Sequence, residues 1–224
     1  MDRINLTSGG DDYYTQTNNR YVPTSACTPT SGIMFVLAEG IPVFEAGSKN
    51  PARHPYLQYP QGMQPEDYIT ALCQSPWGDD LRKTFTPWFN SDNIPNQTIH
   101  VVVKEVLNRV MGKTVIRFFE KGKTIYDIAK QLLDGHPVMV SGDFTHSGHT
   151  LVVVGMDYEM GQLQRDDDLS YQEAPIPKNF IVDDPYGNYN TGYTDKRGND
   201  VIIEIDTFKK LWHGFTYFID KRGV

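Results

Sequence analysis

The chain has 224 residues, enough for one sizeable domain with its own core and too few for two full ones. Its 28 acidic against 21 basic side chains give a formal charge of -7 and a pI near 5.3, and no dense Lys/Arg cluster interrupts that balance; this argues against a nucleic-acid or membrane-surface binder. No stretch reaches the roughly 18 apolar residues that cross a bilayer, and Met1-Asp2-Arg3-Ile4-Asn5-Leu6 lacks the charged-then-apolar order of a signal peptide. The expectation is cytoplasmic synthesis without integral membrane association, any release to a cell wall coming by another route.

In chain order, a polar, turn-like segment around residues 13–24 leads to Cys27. The following Thr28-Pro29-Thr30-Ser31-Gly32-Ile33-Met34-Phe35-Val36-Leu37 reads as a helix with proline in its first turn. Residues 40–96 are rich in Pro, Gly and aromatics, with Trp77 and Trp88 among them, and read as an irregular or helical insertion within a single domain spanning 1–224. Cys73, in Tyr68-Ile69-Thr70-Ala71-Leu72-Cys73, is expected to pack as a small hydrophobe in a helix. Val103, Val106, Leu107, Val110 and Met111 recur at helical spacing and predict a helix ending at Gly112. Residues 114–119 suggest a strand. Thr124-Ile125-Tyr126-Asp127 has the form of a capping box ahead of Ile128, Ala129, Leu132 and Leu133, with Gly135 and Pro137 closing that helix.

Beyond residue 137 the period changes. Short β-branched or aromatic runs at 138–141, 149–155, 180–182, 201–205 and 215–219 are separated by turn residues, the pattern of a mainly antiparallel sheet. A short helix is expected from Asp206 to Trp212 with Asp206 as N-cap. Residues 162–178, with the run Asp166-Asp167-Asp168, read as an exposed loop whose spacing does not match an EF-hand. The fold class is therefore α+β, an N-terminal helix packed on a mainly antiparallel sheet.

The residues also carry a chemical order. A thiol at the start of a helix is easier to ionise than elsewhere, because the uncompensated N–H groups there favour an anion. His149, opening an apolar strand, can take the thiol proton, and Asp184, in Asp183-Asp184-Pro185, can orient the ring. His146 competes with His149, and Asp183 with Asp184; strand alternation places one aspartate only on the histidine face. Acyl transfer further needs donors for a developing oxyanion. The Cys27 N–H and the Gln16 amide are candidates, with Asn18 and Asn19 as rivals to Gln16. Neither CxxC nor HExxH occurs, so no metal or cofactor is implied, and a disulfide between Cys27 and Cys73 is not expected. Each residue also has an ordinary reading: a core cysteine, a satisfied strand-end histidine, a turn-forming aspartate, an exposed loop amide.

Taken together, Tyr14-Thr15-Gln16-Thr17-Asn18-Asn19, Cys27-Thr28-Pro29-Thr30-Ser31, Gly148-His149 and Asp184-Pro185-Tyr186-Gly187 resemble the papain-like cysteine peptidases related to bacteriocin-processing peptidases, family thirty-nine of the cysteine class. The resemblance implies a papain-like fold, with Cys27 as nucleophile, His149 as base, Asp184 as third member and Gln16 in the oxyanion hole. It also implies a peptide or protein substrate. Thr28 stands where transporter-borne members commonly have glycine, and no membrane or nucleotide-binding portion is visible. The likeness thus points to free-standing relatives, including peptidase modules that bacteriophages encode within cell-wall lytic enzymes, and makes peptidoglycan peptide a candidate substrate. Two other readings keep the scaffold: an amidase or transacylase using the same site, and a catalytically inactive binding protein.

Overall fold

The computed structural model describes residues 1–7, 13–40, 63–74, 96–111, 115–164 and 171–220. Among these, five α-helices and seven strands make an α+β fold. The helices are α1 (Cys27–Ala38), α2 (Pro65–Gln74), α3 (Asn96–Met111), α4 (Ile125–Leu133) and α5 (Ile205–Leu211). The strands are β1 (Asp2–Asn5), β2 (Ile116–Phe119), β3 (Val138–Gly142), β4 (His149–Gln164), β5 (Tyr171–Asp183), β6 (Val201–Glu204) and β7 (Trp212–Ile219). They form one sheet in the order β2-β7-β3-β4-β5-β6, with β1 added alongside β4, and every pairing is antiparallel.

The central strand explains the layering. Leu151-Val152-Val153-Val154 is apolar without interruption because β4 is covered on both faces. Val152 and Val154 join Ile33, Phe35, Ile69 and Leu107 beneath α1, α2 and α3, whereas Leu151 and Val153 join Ile128, Leu132 and Phe208 beneath α4 and α5. A register shift between Val153 and Gly155 in the β4–β5 pairing then turns Met156 to the α4–α5 side. Gly155 lets β1 join: a Cβ there would stand 2.2 Å from the Ile4 carbonyl oxygen.

Helix α1 is buried nearly all round, which is why its sequence shows little amphipathic contrast. Pro29 lies in its first turn, where a missing N–H breaks no helical bond. Its N-cap, Ala26, offers no side chain to the first turn. Free N–H groups are thus left at the end that carries Cys27.

Several boundaries differ from the sequence expectation. The anticipated loop at 162–178 is largely strand, since β4 runs to Gln164 and β5 begins at Tyr171; Asp166-Asp167-Asp168 lies outside the described residues. The last helix begins at Ile205, and its N-cap is Glu204, not Asp206: the Glu204 carboxylate accepts from the N–H groups of Asp206 and Thr207, both at 3.0 Å. A strand running directly into a helix hides that boundary. Strand β1 was not foreseen. The capping box of α4 is formed, Asp127 N–H donating to Thr124 Oγ1 and Thr124 N–H to Asp127 Oδ2. Of the segment 40–96, α2 is seen as a helix with Cys73 packed against the core, while Trp77 and Trp88 lie outside the described residues. Neither cysteine is in a disulfide.

Candidate active site

Two hydroxyl contacts lock the start of α1 to the start of β4. Thr28 Oγ1 and Thr150 Oγ1 are 3.0 Å apart, and Ser31 Oγ donates to the Thr150 carbonyl at 2.8 Å. Because Thr28 follows Cys27 and Thr150 follows His149, these contacts bring the thiol and the imidazole to one place although 122 positions separate the two threonines. Ser141 Oγ on the neighbouring strand donates to the His149 carbonyl at 3.1 Å and fixes that end of β4 from the other side.

His149 Nε2 lies 2.7 Å from Asp184 Oδ1, with both side chains buried. This leaves Nδ1 without a carboxylate partner, the ring nitrogen through which His149 can act on the Cys27 thiol. The two adjacent aspartates part company at the end of β5. Asp183 accepts from Asp200 N–H and Thr7 Oγ1, away from the histidine. Asp184 accepts from His149 and, at 2.9 Å, from Tyr186 N–H. Its backbone is tied as well: Tyr13 OH donates to the Asp184 carbonyl at 3.0 Å and accepts from Gly198 N–H at 3.1 Å. Residue 198 must be glycine, since a Cβ there would fall 1.9 Å from that same carbonyl oxygen.

Two tyrosines enclose the pair. Tyr186 and Tyr193 each stand edge-on to the His149 ring with centroids 6.2 Å away. The single hydroxyl proton of Tyr193 is within reach of Asp184 Oδ2 at 3.2 Å and of the Phe144 carbonyl at 2.9 Å. Tyr193 adopts φ +64°, a left-handed conformation uncommon for a bulky residue. Nothing in the local sequence marks Tyr193; it follows Gly192 in a turn that reads simply as loop.

The electrostatics are those of an ion pair. Burial pushes the Cys27 thiol up, but the hydrogen bond and positive charge of His149 outweigh it and leave the thiol below its ordinary value. Burial likewise disfavours the imidazolium, yet Asp184 and the Cys27 thiolate carry the His149 pKa up to about 10. Both shifts act in the same direction, toward thiolate with imidazolium. Cys27 opens onto a cleft of about 470 Å³ whose walls include Thr24, Ser25, Gly148 and His149, and also His100, His146, His213 and Phe215.

Gln16 is buried in the short turn before α1, with Nε2 donating to the Pro23 carbonyl at 2.9 Å and Oε1 without a partner among the described residues. One hydrogen of its amide is therefore spoken for. Asn18 donates to Gln64 Oε1, and Asn19 organises its own turn, accepting from Tyr21 and Val22 N–H and donating to Thr70 Oγ1. His146 lines the cleft, but no hydrogen bond joins it to the cysteine. Among the described residues no three His, Cys, Asp or Glu side chains converge as a metal site, and no helix is long and apolar enough to cross a membrane.

The model of the Peptidase_C39 like family matches residues 12–217, a span that takes in Gln16, Cys27, His149 and Asp184. The chain belongs to that family of papain-like cysteine peptidases, and its substrate is accordingly a peptide or protein. No curated protein and no solved structure matches it.

Proposed function

We propose that this protein hydrolyses a peptide or isopeptide bond through a thioester on Cys27. The observation that carries the reading is the buried His149–Asp184 pair at 2.7 Å on the wall of an open cleft that Cys27 also lines, with the start of α1 tied to the start of β4 through Thr28 and Thr150. The Cys27 thiolate attacks the scissile carbonyl carbon and the carbon–sulfur bond forms. The oxyanion is met by the Cys27 N–H, uncapped at the start of α1, and by the amide hydrogen of Gln16 that Pro23 does not hold. Imidazolium His149 then protonates the leaving nitrogen as the carbon–nitrogen bond breaks. Neutral His149 next takes a proton from water, whose oxygen attacks the thioester and releases the carboxylate product and the thiolate. Asp184 holds the ring orientation and favours its charged form throughout.

The proposed substrate is peptide of the bacterial cell wall, a reading supported by the resemblance to free-standing lytic peptidases. Incubation of wild type and Cys27→Ala with purified sacculi, and separately with an unbiased peptide library, tests class and substrate together by mass spectrometry of the products. New amine and carboxylate termini with wild type alone support the hydrolase. Persistent turnover by Cys27→Ala removes it, and products joined to added amines replace hydrolysis with transfer.

A further inference from the structure

The chemistry proposed for Cys27, His149 and Asp184 leaves one polar group on the cleft without a task. His100, on α3, lines the cleft yet is only 4% exposed. Its Nδ1 lies 2.6 Å from the Tyr217 hydroxyl, and its ring is stacked on Phe118 at 5.4 Å and tilted against Phe215 at 5.3 Å. With Nδ1 and the ring faces occupied, the Nε2 edge is the part left to meet the cleft. No acceptor for it is present among the described residues.

The proton's position follows from Tyr217. That side chain is fully buried, and its hydroxyl has no partner other than His100 among the described residues. If Nδ1 carried the proton, the tyrosine hydrogen would be left buried without an acceptor, at a cost of about 1–3 kcal/mol. Tyr217 therefore donates to Nδ1, and the proton of the neutral ring sits on Nε2. Burial pushes the His100 pKa down to about 4, so the ring is neutral at ordinary pH and keeps this tautomer. On the cleft that Cys27 also lines, His100 thus presents a fixed, uncharged donor that no acceptor among the described residues satisfies.

We propose that His100 is a substrate-binding residue, its Nε2–H donating to a carbonyl or carboxylate oxygen of the peptide that lies across Cys27. The proposal rests on the peptidase reading above and adds a recognition element from α3. A donor that is buried and pre-oriented favours substrates bearing the matching oxygen, because a substrate without it leaves the N–H unpaired.

The test compares wild type with Tyr217→Phe, His100→Phe/Tyr217→Phe and His100→Gln, using a library of internally quenched peptides as substrate and iodoacetamide labelling of Cys27 as an independent readout. The double variant keeps the aromatic packing and removes both polar groups together. It is expected to raise KM about tenfold, the worth of one hydrogen bond, with kcat nearly unchanged. Tyr217→Phe, which frees the tautomer, should fall between it and wild type, and His100→Gln, whose amide can place a donor near the Nε2 position, should recover most of the loss. Rapid Cys27 labelling should persist in all of them. An unchanged KM in the double variant with rapid labelling intact overturns the role of His100 and leaves the peptidase reading standing. Loss of rapid labelling in the double variant also overturns it, by making the residue structural. If wild-type Cys27 labels no faster than Cys73 and no peptide is cleaved, the peptidase reading itself fails and takes this one with it.

Discussion

Helix α1 has a histidine–carboxylate pair near each end, and the two pairs are built for different outcomes. At its N-terminal end Cys27 shares a cleft with His149, which meets Asp184 at 2.7 Å; at its C-terminal end the C-cap Glu39 meets His136 Nδ1 at 2.6 Å. Distance alone does not separate them. The second ring nitrogen does: that of His149 is left for the cleft that Cys27 lines, whereas His136 Nε2 is buried with no hydrogen-bond partner among the described residues. The helix dipole differs too, favouring an anion beside Cys27 and disfavouring one at Glu39. A histidine–carboxylate pair is an ordinary piece of structure, and it becomes chemistry when the free side of the imidazole meets a nucleophile that substrate can reach.

Loss of the sulfur has the largest expected effect. Cys27→Ala should lower turnover by about 10⁴-fold or more, the scale seen when a nucleophile is removed from a triad, while circular dichroism and thermal unfolding stay close to wild type. Asp184→Asn should lower kcat by about 10³- to 10⁴-fold through loss of ring orientation and of the charge that stabilises imidazolium. The matched change at the other end, Glu39→Gln, should leave kcat within about twofold, because charge altered far from the reacting atoms removes no transition-state contact. Equal losses from the two would erase the distinction drawn between the pairs. Tyr193→Phe should lower kcat about tenfold at unchanged KM, the effect of one hydrogen bond to a buried carboxylate. The smallest effect is on stability. The His149 pKa is raised in the folded protein to about 10, so its contribution is fully present below the unfolded value near 6.5 and is lost as pH rises through about 10. Denaturant midpoints of wild type should therefore decline over that window more than those of His149→Ala.

Local patterning made much of this molecule legible. The α4 capping box, the apolar centres of the strands after residue 137 and the helix opening at Cys27 each depend on residues within a few positions of one another. What escaped the sequence is non-local. Asp183 and Asp184 could not be separated by alternation because the strand ends between them; Asp200 and Thr7 hold the Asp183 carboxylate, while His149 and Tyr193, together with the nearby Tyr186 N–H, hold that of Asp184. The full length of the β4–β5 hairpin was hidden by polar residues such as Gln162 and Gln164, whose strand conformation comes from cross-strand pairing with Glu173 and Tyr171. Tyr193 and His100 carry no motif. Their importance comes from what the turn after β5 and helix α3 place beside the histidine and the cleft.

A thiolate–imidazolium pair at Cys27 and His149 is read out by the pH dependence of Cys27 alkylation by iodoacetamide, followed by mass spectrometry with Cys73 as internal reference. The account predicts a Cys27 midpoint well below the ordinary thiol value of about 8.5, moving upward to or beyond it in His149→Ala. A wild-type Cys27 that titrates together with Cys73, unmoved by the loss of His149, would contradict it.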